Sequence, residues 1–160
     1  MKKGEKSVLI GIALVVLAMM FWNSEKLSKS SSQDKEIPFF SDASMTVKRA
    51  GAEVYRRYQC KSCHSLWTVK DIMQTVPAPA LDGVGSLRDA PWLARYLAAA
   101  DPQKMLPSRL KKEYRMPSYS AMPKKDREVL VSYLASLKVK SWYLDELKRA
   151  ECRKLTGGPC

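Results

Sequence analysis

The sequence predicts an all-α chain, and three observations carry that prediction. Apolar residues recur at three- and four-residue steps in three stretches, Met45–Tyr58, Ala90–Ala100 and Lys124–Lys138. The first connection holds a Pro and Gly cluster over Val76–Gly85, and Asp101-Pro102 opens the second, residues that punctuate helices. No part of this region shows the apolar–polar alternation of a strand. With 160 residues, the chain has room for one such domain plus accessory segments.

The first accessory segment is N-terminal. Fifteen uninterrupted apolar or small residues run from Val8 to Trp22, preceded by Lys2, Lys3 and Lys6. The run is short for a spanning helix of roughly 20 residues and at the upper limit of a signal-peptide core of about 7–15. Bulky Met19-Met20-Phe21-Trp22 offers no small-x-small cleavage site, and Ser28-Lys29-Ser30 is a weak, distant one. Trp22 also suits the membrane–water interface. Residues 1–22 are therefore expected to form a retained, single-pass transmembrane anchor with snorkelling lysines. Lysines ahead of the run favour the cytoplasmic side. That orientation places the remainder on the periplasmic side of a bacterial inner membrane.

Residues 23–44 are polar and serine-rich, and are expected to form a flexible linker with a mean span of about 25 Å. Ile37-Pro38-Phe39-Phe40 interrupts the polarity. It can dock on a partner subunit or, as the simpler reading, cover part of the adjacent domain's own core.

The domain proper is expected over 45–138. Its first helix carries Val47, Ala50, Val54, Tyr55 and Tyr58 on one face. Gly51 on that face costs helix stability, which a close helix–helix crossing would explain. The helix delivers the chain into Cys60-Lys61-Ser62-Cys63-His64, the C-x-x-C-H pattern of covalent haem c attachment. Two thiols three residues apart can form thioethers with both vinyl groups of one porphyrin, and the adjacent histidine can ligate the iron. His64 is the chain's one histidine. A zinc site would need four ligands, so Cys152 and Cys160 would have to complete it, while adjacent Cys63 and His64 chelate one ion awkwardly. A thioredoxin-like pair wants C-x-x-C between a strand and a helix, whereas the approach here reads as helix.

Val76–Gly85 is dense in Pro and Gly and reads as loop. The second helix places Trp92, Leu93, Tyr96 and Leu97 on one face before Asp101-Pro102 stops it. Trp92 can be core, or can donate its indole N–H to a haem propionate. The loop Gln103–Pro123 holds Met105, Met116 and Met122. A last helix follows, with the stripe Val129, Leu130, Tyr133, Leu134 and Leu137 and with Asp126 and Glu128 near its start, as the helix dipole prefers.

Without a second histidine, the other axial ligand is most naturally a methionine thioether. Met19 and Met20 lie in the apolar run, Met45 precedes the first helix, and Met73 is too close to the motif to wrap over the opposite haem face. Of Met105, Met116 and Met122, Met116 is favoured because it sits in an irregular loop that Pro117 holds extended. Met122 is the runner-up and fits core packing better. The metal ligands are thus expected to be His64 and Met116.

Lys and Arg number 28 against 16 Asp and Glu, a net charge of +12. Omitting residues 1–22, which hold three lysines and one glutamate, leaves 25 against 15, or +10. This excess suits an acidic docking face or an anionic membrane surface. No nucleic-acid-binding motif is present, so no nucleic-acid partner is expected. The extension 139–160 holds Trp142, Tyr143, Leu144 and Leu147 on a plausible short helix. Cys152 and Cys160 can close a disulfide loop in an oxidising compartment, stay as thiols, or pair with another subunit.

Taken together, Gly51…Tyr55…Cys60-x-x-Cys63-His64, Pro79-Ala80-Leu81, Trp92-Leu93…Tyr96-Leu97, Asp101-Pro102, Met116-Pro117-Ser118-Tyr119 and Leu130…Tyr133-Leu134 resemble the class I cytochrome c domain family. The resemblance covers roughly Ala50–Leu137. It implies a small all-α fold whose first and last helices cross, with haem in a slot between loops. It also implies that the Pro79 carbonyl accepts a hydrogen bond from His64 Nδ1. In style the chain is most similar to membrane-anchored mono-haem subunits of cbb3-type oxidases, nitric oxide reductases and quinol-oxidising bc-type complexes. Two features depart from the pattern: Pro123 stands where Ser or Thr usually opens the last helix, and the 139–160 extension lies outside the domain.

The expected activity is single-electron transfer through a saturated His/Met iron, not catalysis. The expected partners are integral-membrane respiratory subunits or a redox protein with an acidic face, met by Lys61, Lys111, Lys112, Lys124 and Lys125. The extension argues for a dedicated partner. The competing reading is a haem peroxidase or gas sensor with an open or displaceable sixth ligand.

Overall fold

The computed structural model describes residues 11–21, 36–67, 76 and 78–160. These fall in two compact units, Met1–Glu36 and Ile37–Cys160. In the first, residues 11–21 form helix α1 with exposed side chains. Among the described residues no helix is long and apolar enough to cross a membrane. At 1.5 Å per residue α1 is about 16 Å long, against a hydrocarbon core of about 30 Å. Residues 1–10 and Trp22 of the expected anchor, and 23–35 of the expected linker, lie outside the described residues.

The second unit is mostly helical. Helix α2 spans Met45–Arg57 and is capped by Ser44, whose Oγ accepts the Val47 N–H at 3.4 Å. A single turn, α3, covers Val84–Leu87. Helix α4 spans Ala90–Ala98, with Pro91 in its first turn and Asp89 Oδ1 accepting the Trp92 N–H at 2.7 Å. Helix α5 spans Lys124–Ala135 and starts behind Pro123, without a side-chain cap. Helix α6 spans Leu144–Thr156 and ends on Gly157 at φ +74°, the left-handed conformation that suits glycine.

The core lies where α2, α4 and α5 meet. Val54 and Tyr55 pack with Leu130, Val131, Tyr133 and Leu134, and Leu93, Leu97 and Met122 close the sides. The three- and four-residue steps of the sequence are the rows of this cluster. Gly51 lies at the α2–α5 crossing, where a Cβ atom would overlap Cβ and Cγ of Tyr133. The helices can approach this closely because position 51 has no side chain.

The all-α expectation needs one correction. Phe39–Ser41 (β1) pairs antiparallel with Leu137–Val139 (β2), in the register Phe39↔Val139, Phe40↔Lys138 and Ser41↔Leu137. The Lys140 N–H donates to the Pro38 carbonyl at 2.8 Å, and Asp42 N–H to Ser136 O at 3.2 Å, extending the clip at both ends. Three-residue strands are too short to display alternation, so the pattern had nothing to show. The clip also ends α5 at Ala135, short of the expected Lys138. It brings Phe39–Ser41, expected within the 23–44 linker, into the folded unit.

The extension, expected outside the 45–138 domain, packs on it through α6. The Tyr143 ring meets Phe39 edge-on with centroids 5.4 Å apart, and Glu151 pairs with Arg88 at 2.9 Å. Leu147 and Val139 lie against Gly83. Tyr143 and Leu147 of this tail therefore pack on the chain itself, while Trp142 stays 55% exposed.

Replacing Gly51 with alanine tests the crossing. Alanine favours a helix by about 1 kcal/mol over glycine, but overpacking against Tyr133 costs about 1–3 kcal/mol. Because the overlapped atoms lie next to the α5 backbone, the cost wins. Urea denaturation of Gly51→Ala should show a lower midpoint, and an unchanged or raised midpoint would place the helices farther apart.

Candidate functional site

The site begins where α2 ends. Gln59 adopts φ +54°, turning the chain out of α2 into a 3₁₀ turn over Cys60–Ser62. Such a strained, non-glycine conformation persists only where its surroundings hold it. Here Ser62 Oγ donates to the Gln59 carbonyl at 2.7 Å, and the His64 N–H to Cys60 O at 2.9 Å. In a 3₁₀ turn side chains at i and i+3 eclipse, so Cys60 and Cys63 project on one side. Neither cysteine is in a disulfide, and both are half-buried. Burial pushes the Cys60 thiol up to about 11, so it stays protonated at neutral pH. The Tyr119 hydroxyl contacts that thiol, and burial raises this phenol to about 12.

His64 is held from several directions. Its Nδ1 lies 2.7 Å from the Pro79 carbonyl oxygen. A carbonyl can only accept, so Nδ1 carries the proton and Nε2 keeps its lone pair. Burial lowers the imidazolium pKa, which favours that neutral ring. The Tyr55 hydroxyl donates to the His64 carbonyl at 2.9 Å. Next door, the Leu81 N–H donates to Ser65 O at 2.9 Å, tying the Pro79–Leu81 segment to the motif. A protonated Nδ1 fixed by a carbonyl is the arrangement that orients a histidine toward a metal through Nε2.

Met116 is half-buried and packs at the edge of the core cluster, as do Cys60, Leu66, Leu81, Trp92 and Tyr119. The Gln103 Nε2 donates to the Met116 carbonyl at 3.4 Å, and Ser118 Oγ to Ala99 O at 2.8 Å, holding this loop against the end of α4. Met122 is 5% exposed within the core. Met105 is half-buried beyond a 3₁₀ turn at Pro102–Lys104, and Met45 is 68% exposed. Met73 lies outside the described residues. The Trp92 ring stacks on Tyr96, with centroids 4.9 Å apart, and the Arg88 guanidinium lies 5.0 Å from its centroid.

Sequence reasoning missed several supporting groups. Tyr55 read as a core residue, and nothing in its spacing said that its hydroxyl reaches the His64 carbonyl. Tyr119 and Gln103 lie in loop without periodicity. Asp126 read as a helix-dipole acid, yet it also accepts from the Tyr58 hydroxyl at 3.0 Å and from Arg57 at 3.1 Å, joining the two crossing helices. The donor set suits covalent haem: two protonatable thiols on one side of a turn, a neutral imidazole with Nε2 available, and a soft thioether on a separate loop.

A family model described as Cytochrome c matches residues 49–138. No curated protein and no solved structure matches the chain.

Tyr55→Phe should leave the core packed while removing the donor to the His64 carbonyl. A stability loss of about 1 kcal/mol is expected, read as a lowered denaturation midpoint. An unchanged midpoint would mean that water satisfies that carbonyl equally well.

Proposed function

The chain belongs to the cytochrome c family, with covalently attached haem c as its cofactor, and we propose that it transfers single electrons with His64 and Met116 as the axial ligands. Domains of this family are typically electron carriers and are often extracytoplasmic. The observation that carries the ligand assignment is the 2.7 Å contact between His64 Nδ1 and Pro79 O, which reserves Nε2 for the iron. Cys60 and Cys63 supply the thioether sulfurs. Met122 is occupied with core packing and Met45 is solvent-exposed; between Met105 and Met116, the extended loop before Pro117, held by Gln103 and Ser118, favours Met116 as the thioether donor. Bound haem supplies a one-electron iron couple, and a thioether ligand raises its potential.

The proposal extends to location and partners. The apolar run Val8–Trp22, with lysines ahead of it, supports an N-terminal membrane anchor and a periplasmic haem domain. Exposed Lys61, Lys111, Lys112, Lys124 and Lys125 supply a basic surface for an acidic face on a respiratory subunit or another redox protein.

Met116→Ala in the purified holoprotein tests the ligand assignment. Carbon monoxide should bind the ferrous variant readily and the parent slowly, and the midpoint potential should fall. Met122→Ala should instead cost about 2–5 kcal/mol of stability while keeping the parent spectrum. A parent protein that reacts fully with carbon monoxide at neutral pH would overturn saturation by methionine and favour a peroxidase or gas sensor. For the partner, raising ionic strength from about 0.01 M to 0.15 M shortens the screening length from about 30 Å to 8 Å. Stopped-flow association with an acidic redox partner should slow severalfold over that range, and a salt-independent rate would remove the charge argument.

A further inference from the structure

Helix α6 touches the chain on both sides of the proposed ligand set. On the His64 side, a Cβ atom at Gly83 would fall 3.0 Å from Leu147 Cδ2 and overlap Val139. Gly83 directly follows Leu81 and Asp82, so this contact bears on the segment whose Pro79 carbonyl holds His64 Nδ1. On the Met116 side, the Arg109 guanidinium lies against Gly157, the residue that caps α6. A cation is favourable there because the last carbonyls of a helix are unpaired and carry the negative end of its dipole. From Arg109 the connection continues through its neighbour Leu110, whose carbonyl accepts from Arg115 Nε at 2.7 Å, and Arg115 adjoins Met116.

The end of α6 is itself fixed. Cys152 and Cys160 form a disulfide across the Gly157 turn. Thr156 Oγ1 donates to Cys152 O at 3.0 Å and accepts from Gly158 N–H at 3.3 Å. Glu151 pairs with Arg88 at 2.9 Å, both side chains 22% exposed, so the middle of the helix is tied as well.

We propose that the disulfide-closed C-terminal helix is a clamp that positions both axial-ligand segments, acting on Pro79 through Leu147 and Gly83 and on Met116 through Gly157 and Arg109. The residues involved are positioning residues and touch no reacting atom. The proposal rests on the reading of His64 and Met116 as ligands. Its consequence is that opening the disulfide loop loosens the Met116 segment and lets an exogenous ligand compete with the thioether.

The test uses the full-length holoprotein in the ferrous state, where carbon monoxide capture reports dissociation of the sixth ligand. One sample is reduced with ascorbate, which leaves the disulfide intact. The other is treated in addition with a water-soluble phosphine, which becomes the phosphine oxide as the disulfide takes up two protons and two electrons, with water supplying the oxygen. Capture should accelerate severalfold on opening this constraint, and amide exchange over residues 109–116 should rise with it. Arg109→Ala should give the same acceleration with the disulfide intact, and Cys152→Ser combined with Cys160→Ser should give it without phosphine. Unchanged capture and exchange in all three arms would overturn the clamp. Met116→Ala separates the two readings: if its capture is as slow as the parent's, the ligand assignment fails. If it is fast while the other arms stay slow, the clamp alone fails.

Discussion

The crossing of α2 and α5 is the contact on which the other parts of the domain depend. Gly51 removes the side chain that would otherwise hold the helices apart, and Tyr133 fills the space against the α2 backbone. From that point Val54 and Tyr55 run down α2 into the same apolar cluster as Leu130, Val131 and Leu134. Asp126 binds both Tyr58 and Arg57 at the far end, so α2 is fixed to α5 along its length. Arg57 is half-exposed, so this ion pair matters for direction more than for stability.

Everything at the site is measured from that fixed helix. Gln59 turns the chain at the end of α2, the 3₁₀ turn places the two cysteines on one side, and Tyr55 reaches from α2 to hold the His64 carbonyl. A histidine alone on a loop would sample many orientations. This one has its ring fixed by a carbonyl on one segment and its backbone fixed by a hydroxyl on another, while burial keeps it neutral. Covalent haem c asks for that arrangement, because a ring held neutral with Nε2 available loses little entropy on ligating iron.

The short sheet and α6 tie down the ends of the domain. β1 and β2 join residues almost a hundred positions apart, so the segments entering and leaving the helical core are fixed to each other. Helix α6 then covers Gly83, and its Gly157 cap lies against the Arg109 guanidinium. The tail is part of the fold through Tyr143, Leu147 and Glu151, while Trp142 stays exposed on its surface.

Local chemistry made the helices, the attachment motif and the spare methionines legible without coordinates. Helical periodicity, the C-x-x-C-H spacing and the single histidine are properties of near neighbours in the chain, so they can be read in order along it. Gly51 was legible too, since a glycine on an apolar helical face weakens the helix and is repaid only where another backbone comes close. The β clip was not, because three-residue strands carry no pattern and their pairing is decided by the closure of the core. Nor were the roles of Tyr55, Tyr119, Gln103 and Arg109, whose polar ends find partners only after the helices have crossed. Which groups hold His64 and the Met116 loop was decided by tertiary structure, because a hydrogen bond depends on where two distant atoms end up and not on which residues lie beside them in sequence.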